Sequence, residues 1–140
     1  MTEQMTGRCL CGAVTYKTQG APSAAHACHC DDCQRFSGAA FVGVDFEAVE
    51  ITGPVNWFQS SDWGERGSCG TCGSAMFWRL RDGNGPNVVT IGSLDDASKI
   101  AAIDKHYFAD NIPSAYAFSG DAVRLSREET LAFFEGMTDD

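Results

Sequence analysis

The sequence lacks any long apolar stretch. No run approaches the roughly 20 residues that a membrane-spanning helix needs, and residues 1–7 show no charged segment leading into an apolar one. These absences predict a protein with no membrane segment and no export signal, which we therefore expect in the cytoplasm.

Lysine and arginine are scarce as well. Ten basic residues stand among nineteen acidic ones, and the formal net charge is −9 at pH 7. Binding to nucleic acid depends on clustered positive charge, so we expect no nucleic-acid partner. The sequence also has no glycine-rich phosphate loop and no serine nucleophile elbow, so its chemistry must rest on other residues.

The pattern of apolar residues is typical of a mainly β protein. A chain of 140 residues, 44% of them hydrophobic, is expected to form a single domain over residues 1–140. Short runs of β-branched and aromatic residues alternate with glycine and proline. The predicted strands cover residues 7–18, 39–46, 49–51, 55–59, 74–80, 88–91 and 106–108, and residues 60–67 are predicted to be a polar loop.

Two helical segments are predicted. Residues 31–36 are compatible with one helical turn, which Gly38 would end. Near the C-terminus, Ser126 and Glu129 have the spacing of a capping box. An apolar stripe follows at Leu131, Phe134 and Met137, so we expect a C-terminal helix packed on a sheet.

The most informative residues are the seven cysteines. Seven is an odd number, so a framework of disulfides alone would leave one thiol unpaired. In a reducing cytosol, closely spaced cysteines more often bind metal. They form three groups along the chain, namely Cys9 and Cys11, then Cys28, Cys30 and Cys33, then Cys69 and Cys72.

The first and last groups together supply four thiols. Two short cysteine pairs brought together form a tetrahedral four-thiolate cage, which is the usual structural zinc site. Such an ion would join the first strand to the middle of the chain, and its binding energy would stabilise the fold. Iron also fits an all-thiolate cage, but zinc is favoured because the sequence offers no redox signal.

The central group leaves a second site with three thiols. Three protein ligands and an open fourth position are the mark of a catalytic zinc site. Alternatively, His26, His29, Asp31 or His106 would close this site, although His29 is expected to point away from its cysteine neighbours and to form hydrogen bonds or face solvent. A zinc ion held by three thiolates suits a soft fourth ligand, so an incoming thiol would bind there, lose its proton and become a nucleophile.

Several motifs resemble those of the glutathione-dependent formaldehyde-activating enzyme family, whose domain is shared with centromere protein V. The resemblance covers roughly residues 5–120 and rests on the cysteine groups with their neighbours, at residues 7–14, 28–41 and 68–74, and on residues 91–96 and 105–108. Gln34 differs from the basic residue that is common at its position, and Tyr116 differs from a frequent tryptophan.

The resemblance implies a fold, a metal content and an activity. The implied fold is the Mss-four-like fold, mainly β, with antiparallel β-sheets, short helices and a C-terminal helix, stapled by zinc. The implied cofactors are two zinc ions per chain, with glutathione as co-substrate. The implied activity is that of a carbon–sulfur lyase which adds glutathione to formaldehyde to give S-hydroxymethylglutathione.

The sequence is compatible with more than one role for several other residues and with two alternative functions. Glutathione is anionic, so Arg35 and Arg66, each near a cysteine motif, are candidates to bind it, and both are equally compatible with surface arginines. Asp31 and Asp32 would shuttle protons or cap a helical turn. The alternative functions are a non-catalytic zinc module that carries a thiol adduct or docks a protein, and a sulfoxide reductase of similar fold. The oligomeric state is not indicated.

Overall fold

The structure is a computed structural model that describes residues 4–138, with side chains described as far as residue 135. In this part of the chain, no helix is long and apolar enough to cross a membrane. The strands are β1 Thr6–Arg8, β2 Thr15–Gln19, β3 His26–Cys28, β4 Phe41–Phe46, β5 Ala48–Thr52, β6 Val55–Gln59, β7 Gly64–Cys69, β8 Ala75–Leu80, β9 Asn87–Thr90, β10 Lys105–Tyr107 and β11 Val123–Arg124. The α-helices are α1 Asp31–Ser37 and α2 Arg127–Thr138, and short 3₁₀ turns lie at Ile91–Ser93 and Ala109–Asn111.

The chain folds into two compact units. Unit 1 contains residues 4–24 and 43–100, and unit 2 contains residues 25–42 and 101–138. Each unit contains one of the two predicted cysteine clusters. The expectation of a single domain over residues 1–140 stays a prediction.

Unit 1 consists of antiparallel strands around an apolar core. β2 pairs with β1 on one side and with β5 on the other. The second set runs from β4, through its residues 43–46, to β9, β8, β7 and β6. Its core contains the buried side chains of Val14, Tyr16, Val44, Phe46, Met76, Phe77, Val89 and Leu94. Burial of these apolar side chains is the main stabilising term for the unit.

The strand predicted over residues 7–18 is two strands separated by a tight turn. Cys9 N donates to Val14 O at 3.0 Å, and Gly12 N donates to Cys9 O at 3.2 Å. Gly12 has a φ of 84°, which an L side chain rarely adopts. The turn folds the chain back so that β1 pairs with β2, and it holds the first cysteine pair at its tip.

The prediction of a polar loop over residues 60–67 was wrong in its second half, because β7 begins at Gly64. β7 has no large apolar side chain that could provide an alternating signal. A Cβ atom at Gly64 would lie 3.0 Å from the ring of Trp78, and one at Gly67 would lie 2.9 Å from the ring of Trp57. The aromatic side chains of neighbouring strands thus occupy the space above this strand.

Unit 2 contains three short parallel strands and both helices. β10 pairs in parallel with β3 on one side and with β11 on the other. Gly38, with a φ of 82°, ends α1 as predicted. α2 packs on β10, since the rings of Phe133 and Phe134 lie 5.8 Å and 5.0 Å from that of Tyr107.

The predicted capping box of α2 is confirmed. Ser126 N donates to Glu129 Oε1 at 3.0 Å, and Glu129 N donates to Ser126 Oγ at 3.1 Å. Hydrogen bonds from the main-chain amide and then the hydroxyl of Ser126 to the carboxylate lower the pKa of Glu129. The side chain of Met137, the last residue of the predicted apolar stripe, lies outside the described part of the chain.

We predict that Gly53→Ala destabilises the metal-loaded protein by about 2–4 kcal/mol. Gly53 has a φ of 113°, and a Cβ atom there would lie 2.1 Å from Ala13 O. Urea denaturation measures the change. Gly92→Ala is the matched control, because a Cβ atom at Gly92 meets nothing within 4 Å, and its effect should stay within about 0.5 kcal/mol. Equal stability of the two variants would contradict the prediction.

Candidate metal centres

Four thiols meet in unit 1. The sulfurs of Cys9, Cys11, Cys69 and Cys72 all lie within 4.8 Å of one another. The Sγ atoms of Cys9 and Cys11 are 3.7 Å apart, and those of Cys11 and Cys69 are 3.9 Å apart. Zinc–sulfur bonds of about 2.3 Å in a tetrahedron place sulfurs about 3.8 Å apart. This cluster therefore fits a four-coordinate zinc ion.

Backbone N–H groups point at these sulfurs from both cysteine pairs. Val14 N lies 3.3 Å from Cys9 Sγ, and the amides of Thr71 and Cys72 each lie 3.3 Å from Cys69 Sγ. Such N–H groups stabilise thiolates and orient them toward a metal. Gly12 follows the first cysteine pair, and Gly70 and Gly73 lie within and after the second, so the sequence itself favours the tight turns that aim these N–H groups.

Ser74 supports the last ligand of the same cluster. Its hydroxyl lies 3.1 Å from Cys72 Sγ. Hydrogen bonds from the hydroxyl and amide of Ser74, followed by the amide of Cys11, lower the pKa of the Cys72 thiol to about 5. Cys72 is therefore held as a thiolate at neutral pH, which is the form that binds metal.

The other three thiols meet in unit 2. Cys28 is the last residue of β3, Cys30 is the N-cap of α1, and Cys33 lies in the first turn of α1. Their sulfurs lie within 4.8 Å of one another, and Cys33 N donates to Cys30 Sγ at 3.2 Å. Interaction with Cys30 and Cys33, together with burial, raises the pKa of the Cys28 thiol. Three thiolates this close would repel one another, and a bound cation would offset that repulsion.

Within residues 4–138, no histidine, aspartate, glutamate or further cysteine joins this group of three. The side chains of His26, His29, Asp31 and His106 therefore do not complete the cluster in this structure. The donor set fits a metal that keeps one coordination position for an outside ligand.

His29 forms a hydrogen bond, as predicted, but it is fully buried. Its Nε2 lies 2.9 Å from Nδ1 of His106, which is 1% exposed, and the two rings stack. Burial, followed by the positive charges that His106 and Arg124 can carry, lowers the pKa of His29 to about 4. Burial and Arg124 also lower the pKa of His106. The pair is therefore neutral at pH 7 and shares one proton between the facing nitrogens.

The two candidate arginines lie in different surroundings. Arg35 is exposed in the last turn of α1, the helix that also carries Cys33. Arg66 belongs to β7, is 7% exposed, and donates from Nε to Ser60 Oγ at 3.0 Å. Of these two candidates, only Arg35 is a surface arginine.

Residues 31–34 and the segment around residue 111 also meet near the three-thiol cluster. Asn111 Nδ2 donates to Asp31 Oδ1 at 3.0 Å and to His29 O at 2.8 Å. Gln34 Nε2 donates to His29 O at 2.9 Å. Asp31 and Asp32 lie in the first turn of α1. Sequence reasoning missed the contribution of Asn111, because 82 residues separate it from His29 and nothing local marks it.

Comparison with known proteins supports the family. The model of the glutathione-dependent formaldehyde-activating enzyme family matches residues 4–111. The chain belongs to this family, as its motifs predicted.

Two relatives extend this result. A Schizosaccharomyces pombe protein named as an uncharacterized lyase is 23% identical over 128 residues, covering 89% of this chain and 93% of that protein. The crystal structure of a Rhodobacter sphaeroides protein, a structural genomics target, superposes with a TM-score of 0.54 at 21% identity. That match covers 70% of this chain and 99% of the other. It supports the predicted mainly β fold.

We predict that Cys11→Ser loses the four-thiol metal and lowers the thermal unfolding midpoint by roughly 10 °C or more. Cys11 is exposed, so the substitution removes a ligand with little loss of packing. Metal analysis and calorimetry on freshly purified protein measure the two effects. Thr71→Ser, at an exposed position of the second cysteine pair, is the control and should behave as wild type. An unchanged midpoint in Cys11→Ser would count against a structural metal.

Proposed function

We propose that the chain is a zinc-dependent enzyme of the carbon–sulfur lyase type, similar to S-(hydroxymethyl)glutathione synthase. It adds glutathione, or a similar thiol, to formaldehyde or another small aldehyde. The observation that carries this proposal is the three-thiol cluster, to which no fourth protein ligand belongs within the described residues. Family membership and the lyase name of the yeast relative support the same reaction class.

The three cysteines would hold one zinc ion, and the four cysteines of unit 1 would hold another. Zinc at the three-thiol cluster would lower the pKa of an incoming thiol and present its sulfur as a thiolate. Cys28, Cys30 and Cys33 would hold this ion, because their sulfurs lie within 4.8 Å of one another. Cys33 N supports this geometry through its hydrogen bond to Cys30 Sγ.

The reaction is an addition with no net oxidation or reduction, so it needs no redox partner. The thiolate sulfur attacks the carbonyl carbon of the aldehyde, and a carbon–sulfur bond forms as the π pair of the carbonyl moves to oxygen. That oxygen then takes up the proton that the thiol released. With formaldehyde, the product is a hydroxymethyl thioether. The reverse sequence breaks the same bond, which accounts for the classification as a lyase.

A binding site for glutathione needs local positive charge, because the formal net charge of the chain is −9 and glutathione is an anion. Among the two candidates, we favour Arg35, which is exposed and shares α1 with Cys33. Arg66 remains a candidate, although its guanidinium already donates to Ser60.

Arg35→Gln should raise the KM for glutathione severalfold with little change in kcat, whereas Arg66→Gln should mainly lower stability.

We place this activity in the cytoplasm, in a single-domain protein that acts on small molecules. All seven cysteines are free of disulfides, and two clusters of reduced thiols need a reducing compartment to persist.

We predict that the zinc-loaded protein accelerates the formation of the glutathione–formaldehyde adduct above the spontaneous rate. Exchange NMR at equilibrium measures this rate directly. Wild type should contain about two zinc ions per chain, and Cys30→Ser should contain about one, keep its fold and lose the acceleration. Gly92→Ala serves as the control with normal activity.

Other results would replace this function. Binding of glutathione by the fully zinc-loaded protein without any acceleration would indicate a carrier or docking module. Alkylation of Cys28, Cys30 or Cys33 in the metal-loaded protein would instead favour a reductase that uses a free thiol.

A further inference from the structure

The main-chain carbonyl of His29 accepts hydrogen bonds from two side-chain amides. Gln34 Nε2 donates to it at 2.9 Å, and Asn111 Nδ2 donates to it at 2.8 Å. Gln34 Nε2 also donates to Asn111 O at 3.1 Å, so the two residues are joined to each other. We call Gln34 and Asn111 the amide clamp.

The clamp acts on the peptide group between His29 and Cys30, which lies inside the three-thiol cluster. The other side of His29 is fixed as well, because its N–H donates to Tyr107 O at 3.0 Å and Cys28 pairs with Tyr107 in the β3–β10 register. The backbone between the first two ligands is therefore held at both ends. Loss of a residue that fixes the orientation of a metal ligand typically lowers metal affinity by about 10–100-fold.

The chain reaches the clamp through a strained turn. Phe108 has a φ of 56°, and within the described residues it is the only non-glycine residue with positive φ. A bulky residue adopts this conformation only where its surroundings enforce it. Phe108 N donates to the hydroxyl of the buried Thr130 at 2.9 Å, and Ala109 N donates to Leu125 O at 2.7 Å. The 3₁₀ turn that follows ends at Asn111.

The amide clamp also forms a hydrogen bond to a carboxylate that would otherwise compete as a metal ligand. Asp31, which lies directly after Cys30, accepts a hydrogen bond from Asn111 Nδ2 at 3.0 Å through its Oδ1. A carboxylate that accepts an amide hydrogen bond is less available to a metal ion. Gln34 and Asn111 are both neutral donors, so they add no negative charge beside three thiolates.

We propose that Asn111 and Gln34 are positioning residues of the three-thiol metal centre, which set its metal affinity by holding the His29–Cys30 peptide. This inference rests on the proposed function in assigning a metal to Cys28, Cys30 and Cys33. Neither residue is a metal ligand, and neither is required for the four-thiol site of unit 1.

Native mass spectrometry in zinc-buffered solutions tests this proposal, because it counts the ions bound per chain at each free zinc concentration. Alkylation followed by peptide mapping then shows which cysteines have lost protection. Asn111→Ala and Gln34→Met should each release the three-thiol zinc at a free zinc concentration about 10-fold higher or more than wild type. Asn111 is exposed, so its truncation removes the hydrogen bonds with little loss of packing.

Two further variants sharpen the comparison. Gln34→Lys keeps a donor at the position of the amide and should retain most of the affinity that Gln34→Met loses. Asn87→Ala is the matched control, because Asn87 Nδ2 also donates to a main-chain carbonyl, that of Glu47, at 3.3 Å in unit 1. It should bind both ions as wild type does.

The outcomes separate this inference from the function on which it rests. If Asn111→Ala and Gln34→Met release the three-thiol zinc at free zinc concentrations within about twofold of the wild-type value, the amide clamp does not position the metal centre and the proposed function stands. Loss of protection at both clusters in both variants would also overturn the inference, because it would indicate general unfolding. If Cys28, Cys30 and Cys33 are unprotected in wild type at every zinc concentration, the metal assignment itself is wrong.

Discussion

Electrostatic repulsion among closely spaced thiolates is the constraint on which both candidate metal centres depend. Seven cysteine sulfurs are gathered into two clusters in which the atoms lie within 4.8 Å of one another. Without cations, the charged forms of these groups would oppose one another, as the raised pKa of Cys28 indicates. A divalent metal in each cluster would offset this repulsion through its attraction to the thiolates, and its binding energy would favour the folded chain.

The two clusters differ in how the backbone prepares them. In unit 1, tight turns aim amide N–H groups at the sulfurs of Cys9 and Cys69, and the cysteines come from segments 58 residues apart. In unit 2, all three cysteines lie within six residues, on the end of β3 and the start of α1. In our proposal, a metal in the first cluster would stabilise tertiary structure. A metal in the second would rely on neighbouring residues for the shape of its site and would keep a coordination position for an outside thiol.

The histidine pair illustrates how this second cluster is supported. His29 sits between two ligands in the sequence, yet its ring is buried against His106 and the edge of Phe118. Burial keeps both rings neutral, so they add no positive charge that would compete with a metal. His29 therefore contributes through its side chain to the packing of unit 2 and through its main chain to the hydrogen bonds of the amide clamp.

The sequence alone determined the mainly β class, the C-terminal capping box of Ser126 and Glu129, the division of the cysteines into four and three, and the family. The β class and the capping box depend on spacing between nearby residues, which local geometry translates directly into structure. The division of the cysteines and the family rest on short motifs along the chain, and the preference of a structural metal site for four thiolates groups the two distant cysteine pairs. Only the tertiary structure decided that residues 7–18 fold back at Gly12, that β7 is a strand beneath aromatic rings, and that Asn111 reaches His29. Those features depend on contacts between residues far apart in the chain, and no local pattern of residues records such contacts.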